Sequence, residues 1–309
     1  MPTYRLDLEY EGTRFQGWQE QKNARTAAGA LREALKASGI TVDDLMGAGR
    51  TDRGVHALQQ TAHLRTARSL PELTRYRREL NDLVPPDLHV LNITPVSETF
   101  HARRDAQRRS YLYQIVTRRS AFARRHSWWV KYSLDVDAMT GAAALLIGRH
   151  DFTLLSEPAP EKDLSTIVVV EEVTVQPHEA AVLIRICASH FLYKMVRRTI
   201  GVLVKIGTGQ LQRDDLVRLL ALRARRELSA QVAEWTAPPA GLFLERVIYA
   251  GDPPLGPVRA TLPVAREAVM SPPDRRSNTY RPGPTSRDEI RRSPSPPSGR
   301  FPPNKRRRS

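Results

Sequence analysis

Two kinds of hydrophobic periodicity run through the first 250 residues of this 309-residue chain and stop near Gly251. Near the N-terminus Tyr4, Leu6, Leu8 and Tyr10 alternate with Arg5, Asp7 and Glu9, as in a strand buried on one face. Ala27, Ala30, Leu31, Ala34 and Leu35 then recur at three and four residues, predicting a helix over Thr26 to Ser38 with Gly39 as its stop. Further strands are expected at Thr61 to Arg65, Ser110 to Val116, Ile167 to Val175, Val182 to Ala188 and Leu244 to Tyr249. Helices are expected near Asp137 to Ile147, Phe191 to Ile206 and Asp214 to Leu222. From this mixture of strands and helices an α+β class is expected. After Gly251 the chain reads PPLGP, SPPDRR, RSPSPPSGRFPP and NKRRRS, a composition that predicts a disordered tail over 251–309.

That tail holds 13 Lys or Arg against 5 Asp or Glu, and 13 of the 23 prolines. Its net charge of +8 leaves +7 of the total +15 in residues 1–250. The folded part is therefore basic in its own right, and nucleic acid is the leading class of partner. Cys187 is the only cysteine and lies in the apolar run AVLIRICA, which excludes an intramolecular disulfide and any multi-cysteine metal site. A reducing, cytoplasmic location is expected. The longest apolar stretch, GAAALLIG, is far short of the roughly 20 residues that span a bilayer. The N-terminus MPTYRLDLEY carries charge from the start, so a soluble, unprocessed protein with no membrane partner is expected.

The chemistry concentrates in residues 47–57, GAGRTDRGVHA, where Asp52 and Arg50 sit between glycines that permit tight turns and close approach to a ligand. Taken alone, the stretch also suits a surface turn with Asp52 bonded to nearby backbone. It lacks the GxxxxGK of a phosphate loop and the GxGxxG of a dinucleotide site. His56 and His63 lack HExxH spacing and read as structural histidines.

All eleven positions resemble, in register, the signature of the tRNA pseudouridine synthase A family, which reads GAGRTDxGVHA. The likeness continues in EYEGTRFQGWQEQ, LND with VPPDLHV, FHARRDA with RRSYLYQI, GRHDF, FLYKMVRRTIGVLVKIGTG and APPAGLFLERVIY, in the family's order across residues 3–250. It implies two related α+β halves, each with an antiparallel sheet, meeting at a basic cleft. These would be residues 1–105, carrying the Asp loop, and 106–250, carrying a tyrosine strand and an arginine helix, with 251–309 outside the common core. It also implies a homodimer that grips tRNA and isomerises uridine at positions 38, 39 and 40 of the anticodon stem-loop, without metal or organic cofactor.

The reaction breaks the bond between ribose C1′ and uracil N1 and rejoins the base through C5. A carboxylate can attack C1′, attack the ring or deprotonate the sugar, and then depart. The resemblance gives this role to Asp52. It gives Arg197, in MVRR, the role of ion-pair partner, since a withdrawn carboxylate needs a cation to stay ionised. By the same resemblance Tyr111 packs on the uracil and has a possible part in proton transfer, Arg50 helps hold the nucleotide out of the stem, and Leu242 closes the pocket. Read without it, Arg197 is a solvent-facing basic residue, and Tyr111 and Leu242 are sheet and core residues. Arg103, Arg104, Arg108, Arg109 and Arg198 are candidate phosphate contacts, which position RNA without reading it. The sequence departs from the family pattern at Arg53, Ala28 and Ser165, none of them a residue with a chemical role. Two other readings compete: a tRNA-binding protein without turnover on the same fold, and a synthase acting on other RNA uridines.

Overall fold

The computed structural model describes residues 1–158, 165–262 and 264. Within them the strands join one ten-stranded sheet. At one end β1 (Thr3–Tyr10) runs antiparallel between β3 (His56–Thr66) and β4 (Leu88–Val96), and β2 (Val42–Gly47) pairs with β3. At the other end β5 (Arg108–Val116), β9 (Ala181–Ala188), β8 (Ile167–His178) and β7 (Gly148–Asp151) form an antiparallel run, with the two-residue β6 (Trp128–Trp129) added to β5. The join is β10 (Leu242–Ile248), antiparallel to β5 but parallel to β3 through only Phe243↔His56 and Leu244↔Ala57.

The α+β expectation therefore holds, and the strands of residues 1–105 and 106–250 occupy opposite ends of a common sheet. A continuous apolar core, running from Leu6, Leu31 and Leu64 to Ile184, Ile200 and Leu244, underlies both ends. Helices α1 (Ala27–Ala37) and α2 (Leu73–Leu83) pack on the first end, and α3 (Val136–Ala143) and α4 (Met195–Gly207) on the second. Two shorter helices, α5 (Arg213–Leu220) and α6 (Arg226–Glu234), follow α4. No helix among the described residues is long and apolar enough to cross a membrane.

Local chemistry sets the helix ends. The Thr26 hydroxyl accepts from Gly29 N, the bond expected of an N-cap, and Gly39 takes φ +80° just past the end of α1. Helix α4 starts at Met195 rather than at Phe191, because Lys194 adopts φ 58° and cannot continue a right-handed turn backwards.

The expected boundary of the tail at Gly251 needs correction. Val258 and Val264 are buried against Leu112, Val116, Leu183 and Phe243, with Leu262 packed beside them. Polar bonds hold the same segment. Gln114, wholly buried, donates to Leu262 O (2.7 Å) and accepts from Thr261 N (3.1 Å), while Arg185 donates to Gly256 O (2.8 Å). Residues 251–262 and Val264 thus cover the sheet face opposite the helices, and apolar side chains at 258, 262 and 264 are the reason. The remainder of the expected tail, 265–309, lies outside the described residues.

Buried on both faces, β9 reads as an unbroken apolar run, AVLIRICA, interrupted only by Arg185. Its guanidinium pairs with Glu245, which also accepts from the Ser110 hydroxyl (2.7 Å). Charges this withdrawn are tolerated when every donor and acceptor is matched. A chain ending at Ala250 should therefore be less stable than one ending at Val264, by at least ~3 kcal/mol, through apolar surface re-exposed and the lost partners of Gln114 and Arg185. Urea denaturation of the two truncated chains measures this, and equal midpoints would mean that the segment contributes nothing to the fold.

Candidate active site

Residues 47–57 form the connection from β2 to β3, and the EYEGTRFQGWQ segment at residues 9–19 clamps it. Trp18 N donates to Thr51 O (3.1 Å), Gly54 N to Phe15 O (3.2 Å), and the Tyr10 and Thr51 hydroxyls share a 2.8 Å bond. Three glycines permit this approach. A Cβ on Gly12 would lie 1.9 Å from Val55 O, one on Gly17 2.5 Å from Thr51 O, and one on Gly47 2.4 Å from the Trp18 ring. The two sequence blocks are thus one packed unit, with Asp52 at its turn.

Helix α4 supplies the partner. Arg197 Nη1 donates to Asp52 Oδ2 at 3.2 Å, and its Nε donates to Ala237 O at 2.7 Å. The second bond fixes the guanidinium from behind. It depends on Gly201, where a Cβ would meet Trp235 O at 1.8 Å and push residues 235–237 off the helix. The pair keeps some contact with solvent, with the two side chains 15% and 23% exposed. Burial pushes the Asp52 carboxyl above its usual range, and the charge and hydrogen bond of Arg197 only partly offset this. The anion is thus less comfortable than in water and correspondingly more reactive.

Tyr111 and Tyr113, equivalent in strand parity, separate clearly. Tyr113 is fully buried, donates to Pro238 O (2.8 Å) and presses on Gly241. Tyr111 makes no side-chain hydrogen bond among the described residues and packs edge-on against Phe191, ring centroids 5.0 Å apart. Burial, then the charges of Tyr10 and Asp52, raise the Tyr111 phenol well above its ordinary value. It is therefore a protonated ring near the carboxylate. Leu242 is buried at the start of β10 opposite Tyr113, just after Pro239 and Ala240, which line the cleft at Asp52. Arg50 is exposed two residues from Asp52.

The cleft, about 510 Å³, brings Asp52 and Arg197 together with Arg53, Arg124, Arg125 and Lys194. None of these last four was among the residues given a role from sequence. The available signal was the ARRH run after Phe122 and the departure at Arg53. Among the phosphate candidates, Arg108 pairs with Glu171 (3.0 Å), Arg198 bonds Ser156 O and Glu157, and Arg109 is occupied by backbone carbonyls. Arg103 and Arg104 are exposed.

Both motif histidines are structural. His63 bridges Asp44 (2.8 Å) and Ala102 N (3.1 Å). His56 Nδ1 accepts from Gly12 N (2.9 Å), and burial lowers its pKa to about 4, so the ring is neutral. Glu11, His56 and His126 are the one group among the described residues with metal-ligand side chains gathered together. His56 Nδ1 spends its lone pair on Gly12 N and so has no proton to give Glu11 3.5 Å away, while the Nε2 of the same ring is buried without a hydrogen-bond partner among the described residues. The Cys187 thiol is buried and pushed up to about 11, which makes it inert.

Comparison with known proteins bears on the whole arrangement. The sequence model of a family described as tRNA pseudouridine synthase matches residues 142–250. A protein named tRNA pseudouridine synthase A from Thermoanaerobacter sp. (strain X514) is 38% identical over 244 residues, covering 78% of this chain and 97% of the relative. Its namesake from Nitrobacter winogradskyi is 42% identical over 266 residues, 82% of this chain and 98% of the relative. That from Bradyrhizobium sp. (strain BTAi1) is 41% identical over 258 residues, 81% and 100%. Identity at this level, spread over nearly the full length of each relative, places the chain in the tRNA pseudouridine synthase A family.

Proposed function

We propose that this protein, an isomerase by its family, converts uridine to pseudouridine at positions 38, 39 and 40 of the tRNA anticodon stem-loop with Asp52 as nucleophile. The observation that carries the proposal is the Asp52–Arg197 pair, 3.2 Å apart, in a cleft rimmed by arginine and lysine. The rim suits the phosphates on either side of an extruded nucleotide. Extrusion costs a few kcal/mol of stacking, and Arg50, exposed two residues from Asp52, would help hold the nucleotide out of the stem. Leu242 and Tyr111 would close on the uracil.

In the reaction the C1′–N1 bond breaks, the base turns, C5 joins C1′, and the proton lost from C5 is balanced by one taken up at N1, so that the product is an isomer of the substrate. Asp52 can serve by attacking C1′ or the ring, or by deprotonating the sugar, and its raised pKa helps each route. The protonated state of Tyr111 favours packing and hydrogen-bond donation over a role as base. We place the enzyme in the cytoplasm as a homodimer acting without metal or organic cofactor, with residues 1–105 and 106–250 as its two halves.

Asp52→Asn should keep tRNA affinity within about twofold and lose product formation by roughly 10³-fold or more. Filter binding and single-turnover assays read the two quantities, and turnover near wild type would remove Asp52 from the chemistry. If the wild-type chain binds unmodified tRNA tightly yet forms no product, the binding-protein reading replaces this one. Tyr111→Phe should slow the saturated rate by less than about tenfold, since a general acid or base is usually worth ~10² or more. A loss of ~10² would instead assign the phenol a proton-transfer step.

The third expectation concerns pH. Asp52 acts as an anion, so the rate falls as pH drops through its pKa. Arg197 lowers that pKa against the upward push of burial. Arg197→Gln should therefore move the acid limb of the single-turnover profile to higher pH. An unmoved limb would mean that the pair does not govern ionisation of the reacting group.

A further inference from the structure

Arg109 stands on β5 two residues before Tyr111, and each of its hydrogen bonds goes to main chain. Nη1 donates to Ala106 O (3.1 Å) and Ser189 O (3.0 Å), and Nη2 to Ala48 O (3.0 Å) and Arg103 O (2.8 Å). No carboxylate pairs with it among the described residues, and burial lowers its pKa. A partly buried cation without a counter-ion still loses solvation, so four carbonyls converging on it call for a reason beyond packing.

The reason lies in where those carbonyls belong. Ala48 opens the loop that ends in Asp52, with Gly49 next to it held by Gln60 (2.9 Å). Ser189 opens the loop from β9 to α4, the helix that carries Arg197. Arg103 and Ala106 belong to the turn that leads into the Tyr111 strand. We infer that Arg109 is a positioning residue that locks the Asp52 loop, the approach to the Arg197 helix and the Tyr111 strand to one another, and that it is not a phosphate contact. The inference rests on the proposed role of Asp52.

Four carbonyls need the planar five-donor fork of a guanidinium, while a lysine ammonium has three donors on a flexible stem. Because the cage contains no carboxylate, it holds the three segments without setting a second anion beside Asp52. A displacement of about 1 Å in a reacting group can cost on the order of 10² in rate.

The test uses the full chain with Arg109→Lys and Arg109→Ala. Expected are a tRNA dissociation constant within about twofold of wild type, an unchanged salt slope, and a saturated single-turnover rate reduced by roughly 10². Added guanidinium should restore part of the Arg109→Ala rate. Amide exchange should rise in residues 47–55 and 189–194 while the core strands stay protected. Weaker binding with a salt slope shallower by roughly 0.7, and a retained saturated rate, would make Arg109 a phosphate contact and overturn the inference. Faster exchange throughout the core with no guanidinium rescue would reduce it to a stability residue and overturn it equally. If Arg109→Ala does not fold, Arg109→Lys carries the same measurements. Exchange in the two loops does not depend on turnover, so it reports on the clamp even if Asp52→Asn remains active and the nucleophile reading fails.

Discussion

A carboxylate drawn partly out of water and paired with one guanidinium is the constraint around which this molecule is arranged. Withdrawal raises the energy of the anion, and the single pairing with Arg197 recovers only part of it. Neither group can be placed by local structure alone, because Asp52 and Arg197 lie 145 residues apart in the chain. The sheet brings them together. Its parallel β3–β10 contact is two residue pairs long, and the loop at the head of β3 and the turn at the head of β10 consequently face the same cleft. The bond from Arg197 Nε to Ala237 O ties the helix to that turn. Residues that look dispersed in sequence, such as Gly12, Gly47 and Gly201, are then required by the close approaches this meeting imposes.

Charge around the cleft is graded. Asp52 faces Arg53, Arg124, Arg125 and Lys194 along the rim, and Lys194 is itself bonded to Glu157 (2.7 Å). Lys194 and Glu157 act on the Asp52 carboxyl in opposite directions, the first lowering its pKa and the second raising it. Behind the site the balance is different. Arg185 with Glu245, and Arg109 with its carbonyls, direct their guanidinium groups to partners inside the protein.

Much of this was legible in the sequence where one side chain per turn or per strand step records burial. The strand at Tyr4–Tyr10 and the helix after Thr26 were evident because each buries a regular face, and the strands at Ser110–Val116 and Val182–Ala188 because they are buried on both faces and largely apolar. Helix α2 was not, since LTRYRRELNDL buries only Tyr76 and Leu80 and owes its start to the Glu72 side chain. Strand β2 buries only Leu45 and Gly47 and carries too little alternation to detect. The Asp52 loop stood out through its glycines and its likeness to a family. The cleft rim and the carbonyl cage of Arg109 did not, because a basic residue facing RNA and one facing backbone oxygens leave the same letter in the sequence. Residues 251–264 were misjudged for a related reason: proline content outweighed three apolar side chains whose partners lie on distant strands.

The position of β10 has a consequence for how the chain comes into being. It is the last strand among the described residues, yet it sits between β3 and β5, in the middle of the sheet. As the chain leaves the ribosome, β1 to β4 can pair among themselves, and so can β5 and β7 to β9. The edges of β3 and β5 that will receive β10 must wait until the chain has been made almost to Ile248. Open strand edges of this kind invite pairing with other chains, and joins between remote segments are slow to form. Assembly of the active cleft is therefore deferred to the end of synthesis, and no nascent fragment lacking the final strand can hold Asp52 and Arg197 in their native relation.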